Sequence, residues 1–274
     1  MSRQLLIAIA ALFAGTSGVF AHGDLSEAID VLSKVIATSP PDAGLFLRRA
    51  EFHRMHADWP AAEAGYAAAR RIEPQMDGVT FGRAQMRLAQ GRERDGLKLL
   101  DEFLVKRPEH AEGRAIRAAL LEKRGDWKKA DSDLAAAVAS SPEPHYATTR
   151  AGLLERHGRA STAARCLEEA SRAHGRLPVI EQQALEIEAR AGLIDSALRR
   201  VDDLIAREPR LDIWLAIEAR LLEKAGRAPE VRAAWQSADT AFERVPEERR
   251  ASEFNRKLVA EIEAGRAAAL AKPQ

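Results

Sequence analysis

The sequence predicts an all-α fold, a solenoid of stacked helical hairpins with a capping helix at its C-terminal end. Three observations predict it. Of 274 residues, 46% are hydrophobic, 30% charged and only 5% aromatic, and Ala fills about a fifth of positions; this composition favours helix and supplies enough apolar surface for a buried core. Pro40, Pro74, Pro108 and Pro142 fall at steps of 34 residues, and a proline ends the helix before it. A separate series, Gly91, Gly125, Gly158, Gly192 and Gly226, keeps steps of 34, 33, 34 and 34, and Gly23 and Ala57 extend it backward. A fixed period of this length marks a repeat architecture.

Residues 1–21 stand apart from the repeats. Arg3 precedes an apolar run from Leu5 to Phe13, then come Gly15, Thr16, Ser17 and Gly18, and finally Val19, Phe20 and Ala21. This order predicts a secretory signal peptide cleaved after Ala21. The alternative is a retained anchor, but a spanning helix needs about 20 predominantly apolar residues, and the cluster at Gly15 to Gly18 interrupts the run. No Cys lies near the junction to accept a lipid. Cleavage leaves 41 basic against 41 acidic side chains, so neither nucleic acid nor a charged membrane surface is an expected partner, and no stable membrane insertion is expected afterward. Arg outnumbers Lys 33 to 9, and the sole Asn, Asn255, is not in a glycosylation context. On composition, a bacterial export route to a periplasmic or secreted location is expected.

The repeats then follow in order. A half repeat, 23–41, carries a lone helix from Leu25 to Ala37, with Asp24 and Glu27 as a candidate capping box. Six whole repeats cover about 42–76, 77–110, 111–143, 144–177, 178–211 and 212–246. In the first, Asp58 caps the second helix and Pro60 occupies its opening turn, where a missing N–H does no harm. In the third, Glu112 to Lys123 shows Ile116, Ala119, Leu120 and Leu121 at helical spacing, Gly125 ends it, and Asp126 caps a helix running to about Ala139. Small residues recur five places after the glycine series as Ala28, Ala62, Ala130, Ala163 and Ala197, with Gly96 and Val231 in the other copies. Later repeats depart: the fourth closes near His174 without Pro, the fifth has Leu185 at a small-residue place, and the sixth has Trp235 at a large apolar one. Trp214, Trp235 and Phe242 read as core fillers. Beyond Pro246, a charged helix from Glu247 to Leu270, with Phe254, Leu258 and Ile262 on one stripe, is expected to cap the array within a C-terminal segment 247–274; a partner-binding amphipathic helix is the alternative.

The third repeat, with Ala118, Gly125, Ala130, Leu134, Ala137 and Pro142, resembles the tetratricopeptide repeat family, as does the first, with Ala50, Ala62, Tyr66, Ala69 and Pro74. The resemblance spans residues 23 to about 246 and suggests an exported bacterial member. It implies a right-handed solenoid whose first helices line a concave groove for an extended peptide or another protein's helix. By repeat position that groove carries Leu47, Glu51, Arg54 and Met55, then Phe81, Gln85 and Leu88, then Ala115, Ala119, Glu122 and Lys123. Farther along it carries Thr148, Gly152, Arg156, Glu186, Arg190, Arg220 and Glu223. The family's carboxylate clamp uses two Asn with basic residues, and Asn is absent from every repeat here.

One column of side chains repeats with the period. Arg49, Arg83, Arg117 and Arg150 each precede the small residue of the first helix. Aligned guanidinium groups can grip carboxylates or phosphates by paired hydrogen bonds. The structural reading is that each lies over its own second helix and pairs locally, as Arg117 can with Asp133. The column is the principal candidate for partner binding, with Glu51, Arg54, Gln85, Arg156, Arg190 and Arg220 beside it.

Motifs for catalysis are not found. The sequence has no pair of His four apart around a Glu, no phosphate-cradling glycine loop and no Gly-x-Ser-x-Gly elbow. A hydrolase has no nucleophile and base that can be placed, and no cofactor is expected. Pairs such as Glu168 with Arg172 suit solvated helix faces. The lone Cys166 lies on an apolar stripe with Ala163, Leu167 and Ala170, which makes it a packing residue. The alternative to a non-catalytic protein-binding scaffold is an accessory metal- or small-molecule-binding protein. Its pointers are His22, which cleavage would make the N-terminus, and the close pair His53 and His56. Self-association through the ends of the array is compatible with either reading.

Overall fold

The computed structural model describes residues 22–207 and 209–271, and all regular structure among them is helical. The expected signal peptide, 1–21, lies outside the described residues. The chain divides into two units, Met1–Arg124 and Gly125–Gln274.

The first unit holds α1 (His22–Thr38), α2 (Ala43–Met55), α3 (Trp59–Ile72), α4 (Asp77–Ala89), α5 (Glu93–Lys106) and α6 (Ala111–Lys123). Helices α2 and α3 form one hairpin and α4 and α5 the next, and α1 packs on α2. Three of these helices start on a side-chain cap. The Asp42 carboxylate accepts from Gly44 N at 2.7 Å and the Asp58 carboxylate from Ala61 N at 3.2 Å, each satisfying an orphan N–H of a first turn. His110 does the same for α6, its Nδ1 accepting from Gly113 N at 3.0 Å. Helices α1, α3 and α5 stop two residues before Pro40, Pro74 and Pro108.

The core of this unit is built from small residues because the backbones approach closely. Ala50, Ala62, Tyr66, Ala69, Val79 and Met86 are wholly buried between α2, α3 and α4. A Cβ on Gly65 would lie 2.8 Å from that of Ala50, so the α2–α3 crossing tolerates no larger side chain there. Phe81, Phe103 and His110 cluster at ring-centroid distances of 4.7–4.9 Å and join α4, α5 and the start of α6.

The second unit holds α7 (Trp127–Ser140), α8 (Pro144–Arg156), α9 (Ala160–Ala173), α10 (Pro178–Arg190), α11 (Ile194–Ile205), α12 (Leu211–Lys224), α13 (Ala228–Phe242), α14 (Glu247–Arg250) and α15 (Glu253–Ala271). Hairpins form from α8 with α9, α10 with α11 and α12 with α13; α7 packs on α8, and α15 packs on α13. Trp214, Trp235 and Phe242 are buried with Leu258 and Ile262 of α15 in one apolar cluster, as the sequence led us to expect of core fillers. Gly265 lets α15 lie against the Trp235 ring, since a Cβ there would come within 2.7 Å of Cδ2. Leu185 is buried at its small-residue place. Where the fourth repeat lacks Pro, Gly175 and Arg176 both turn left-handed (φ 73° and 65°), and the His174 ring bridges the carbonyls of Ala170 and Pro142.

The glycine series has one cause. Gly91, Gly125, Gly158, Gly192 and Gly226 all follow a first helix at φ 70–84°, the left-handed position that ends a helix most easily without a Cβ. Ala57 fills the same place in the first repeat at φ 60°.

Three expectations are corrected. Helix α1 begins at His22, so Asp24 lies inside its first turn and not at a cap. Asp126 occupies the N-cap position of α7 but makes no capping bond; its carboxylate instead holds Lys129 at 2.6 Å. The C-terminal helix is broken at Ala251 and Ser252, because Ser252 Oγ accepts from Asn255 N at 3.2 Å and starts α15 afresh. Its inward stripe is Asn255, Leu258, Ile262 and Ala269, which leaves Phe254 56% exposed.

Candidate partner-binding surface

The arginine column is placed by the hairpin packing and reaches backward along the chain. Arg49 Nη1 donates to Ser33 Oγ at 3.3 Å, and Arg83 Nη2 to Glu63 Oε1 at 2.6 Å. Arg117 Nη1 donates to Asp101 Oδ1 at 2.9 Å, and Arg150 Nε to Asp131 Oδ1 at 2.7 Å. Each of these partners lies on the second helix of the preceding repeat. The column therefore ties one repeat to the one before it. Its four members are half-buried, and Arg49 also lies over the Phe46 ring, 5.6 Å from the centroid. Sequence reading missed the acceptors because they do not keep the period: Glu63 and Asp131 lie one helical turn earlier in register than Ser33 and Asp101.

The other predicted residues lie on first helices, and most of them bridge elements. Glu51 accepts from Tyr66 Oη at 2.6 Å and from Arg54 Nε at 2.8 Å, which places both predicted residues of α2 in one cluster. Gln85 Nε2 donates to Glu112 Oε1 at 2.9 Å, linking α4 to α6. Arg190 makes a two-pronged contact with Glu155, at 2.8 and 3.2 Å, linking α10 to α8. Arg220 Nε lies 3.3 Å from Glu261 Oε1, linking α12 to α15. Arg156 is exposed and lies over Gly152, where a Cβ would meet its Nη1 at 3.3 Å. Within each unit, these contacts fix the first helices against one another by side-chain bridges. Exposed groups beside them are Met55 and Ala119 in the first unit and Glu186 and Glu223 in the second.

The first helix α10 also carries buried charge, for which the residue pattern offers no signal. Glu188 is 2% exposed and accepts from Arg200 Nε and Nη2 at 2.9 and 3.0 Å and from Ser196 Oγ at 2.8 Å. Glu181, equally buried, accepts from Ser171 Oγ at 3.0 Å and Arg207 Nη2 at 2.6 Å. Both carboxylates are fully hydrogen-bonded, as buried charges must be, and they join α9, α10 and α11. Helical spacing alone does not distinguish them from solvated glutamates.

Burial, reinforced by the Glu51 carboxylate, pushes the Tyr66 phenol well above its ordinary range. Burial pushes the Cys166 thiol up as well, which disfavours the reactive thiolate. Burial lowers the His53 imidazole, although Asp58 at 3.4 Å pulls the other way. Among the described residues no three His, Cys, Asp or Glu side chains are grouped to hold a metal ion, and the side chain of His22 lies outside them. No helix among the described residues is long and apolar enough to cross a membrane.

No protein-family model and no curated protein matches the chain. Solved structures do. The C-terminal part of a tetratricopeptide repeat-containing protein from Cytophaga hutchinsonii superposes with a TM-score of 0.61 at 11% identity, covering 94% of this chain and 98% of that one. A chain of the Naa15/Naa10 complex bound to HypK-THB superposes at 0.52 with 15% identity, covering 98% of this chain and 40% of the other. At such identities the likeness concerns the fold. In fold, this chain is a tetratricopeptide-type array of helical hairpins.

Proposed function

We propose that this protein is a non-catalytic scaffold of the bacterial periplasm that binds another protein or an extended peptide across its first helices. The observation that carries the reading is the bridging of those helices by Gln85 to Glu112, Arg190 to Glu155 and Arg220 to Glu261. A surface fixed in this way loses little conformational freedom when it binds, so more of the contact energy appears as affinity. A structural neighbour with the same hairpin fold belongs to a complex of several proteins, which supports a protein partner in general terms. The periplasmic location rests on the signal-like pattern of residues 1–21.

Photo-crosslinking in the exporting cell tests the surface. A photoreactive amino acid at Ala119, exposed on α6, is expected to yield a discrete protein adduct, and the same group at Glu102, exposed on α5, is expected to yield none. Adducts from Glu102 alone would move the binding face to the second helices. Mass spectrometry of the exported protein should find His22 at its N-terminus, whereas an intact Met1 in the membrane fraction would show a retained anchor.

A further inference from the structure

The second unit carries an apolar pocket with a cationic rim where the start of α12 meets the end of α13. It encloses about 330 Å³ between the link that enters α12 and the link that leaves α13, a size at the lower end of ligand pockets. Pro209, Leu211, Ala241, Val245 and Pro246 wall it, and Arg210, Arg244 and Arg249 stand around it.

The three arginines are not equivalent. Arg210 is satisfied: Nη2 contacts Asp212 Oδ2 at 2.5 Å and Asn255 Oδ1 at 3.1 Å, and Nε contacts Asp212 Oδ1 at 3.2 Å. Asp212, the one acidic residue of the lining among the described residues, is thereby spent on Arg210. Arg244 and Arg249 form no side-chain hydrogen bond or ion pair among the described residues, although Glu243, Glu247 and Glu248 are close in sequence. The walls are set in advance. Asn255 Nδ2 donates to the Arg249 carbonyl at 2.6 Å, and Arg250 Nε donates to the Val245 carbonyl at 2.7 Å. The only Asn of the chain thus pins α14 to the mouth of α12.

We infer that this pocket binds an acidic peptide segment, with one large apolar side chain of the segment inside the walls and flanking carboxylates on Arg244 and Arg249. An apolar cavity alone selects no partner, and two exposed arginines alone give weak, salt-screened attraction. Together they favour an apolar anchor between carboxylates and repel the same anchor between lysines. The inference does not depend on the first-helix surface, and its test uses other residues.

The test uses fluorescein-labelled pentapeptides with blocked ends and the full processed chain, read by anisotropy. The sequence Glu-Glu-Leu-Glu-Glu should bind at least tenfold more tightly than Glu-Glu-Ser-Glu-Glu or Lys-Lys-Leu-Lys-Lys. The double variant Arg244→Glu, Arg249→Glu should weaken the first peptide at least tenfold. Its melting temperature should not move, because both side chains are exposed, so lost binding cannot be ascribed to unfolding. Photo-crosslinking at Ala119 should be unchanged in that variant. Equal binding of the Leu and Ser peptides, an unaffected double variant, or no binding at millimolar peptide would each overturn the inference.

Discussion

Tyr66 Oη donates to Glu51 Oε1 at 2.6 Å, joining the second helix of the first hairpin to its own first helix. Gly82 of the next helix closes over this bond. A Cβ at Gly82 would come within 2.7 Å of Tyr66 Cε1 and Oη and nearer still to Glu51 Oε1. One hydrogen bond thus lies at the junction of three helices.

Gly82→Ala should therefore destabilise the fold by about 2 kcal/mol, the usual cost of overpacking a closed contact. Tyr66→Phe should cost a similar ~2 kcal/mol by removing a bond to a charged acceptor. Urea denaturation at neutral pH measures both. The Tyr66 phenol is raised in the fold, so its contribution is complete below the ordinary tyrosine value of about 10 and is lost as pH rises through the folded value. Above about pH 10, stability should decline less steeply in Tyr66→Phe than in the parent protein.

His53 provides the acid-side counterpart. Its folded value is lowered, mainly by burial, so the unfolded chain takes up a proton that the native state refuses. Stability should fall as pH drops below about 6.5, the ordinary imidazole value, toward the folded one. Replacing His53 with Gln should flatten that part of a stability profile measured from pH 7.5 to 5. An unchanged slope would show that other groups set it.

Arg200 has a 10% exposed side chain and faces the buried Glu188 carboxylate. Arg200→Ala leaves that charge without its partner and should cost about 3 kcal/mol. The double variant Arg200→Met, Glu188→Leu removes both charges and should recover most of the loss. Chemical denaturation of the parent, the single and the double variant decides this; equal losses in the two variants would make packing, not the uncompensated charge, the cause.

The left-handed links predict a paired result. Gly192→Ala should cost about 1 kcal/mol, and since nothing lies within 4 Å of the added methyl, the loss is conformational. Ala57→Gly should be neutral to stabilising by less than ~1 kcal/mol, because relief at φ 60° is offset by the greater freedom of glycine in the unfolded chain. Thermal melts of both variants give the comparison.

The fold was legible in the sequence because its punctuation is local. A proline stops a helix and a glycine takes a left-handed turn by constraints within a few residues, so Pro40, Pro74, Pro108 and Pro142 and the series from Gly91 to Gly226 reveal the hairpins without any knowledge of packing. The same local logic missed the break at Ser252, where a buried Asn255 outweighs a continuous helical pattern.

By itself, the sequence determined that the repeats are helical, that they recur about every 34 residues, and where most of their helices stop. The tertiary structure alone decided which acceptors on the preceding repeat the arginine column takes. Those contacts join residues on different helices, and a shift of one turn, as between Asp101 and Glu63, leaves the periodic pattern intact while changing the partner. The pocket beside Arg244 and Arg249 is of the same kind: its walls come from two stretches about 30 or more residues apart in sequence, and only packing brings an apolar floor and two guanidinium groups with no ion pair among the described residues together.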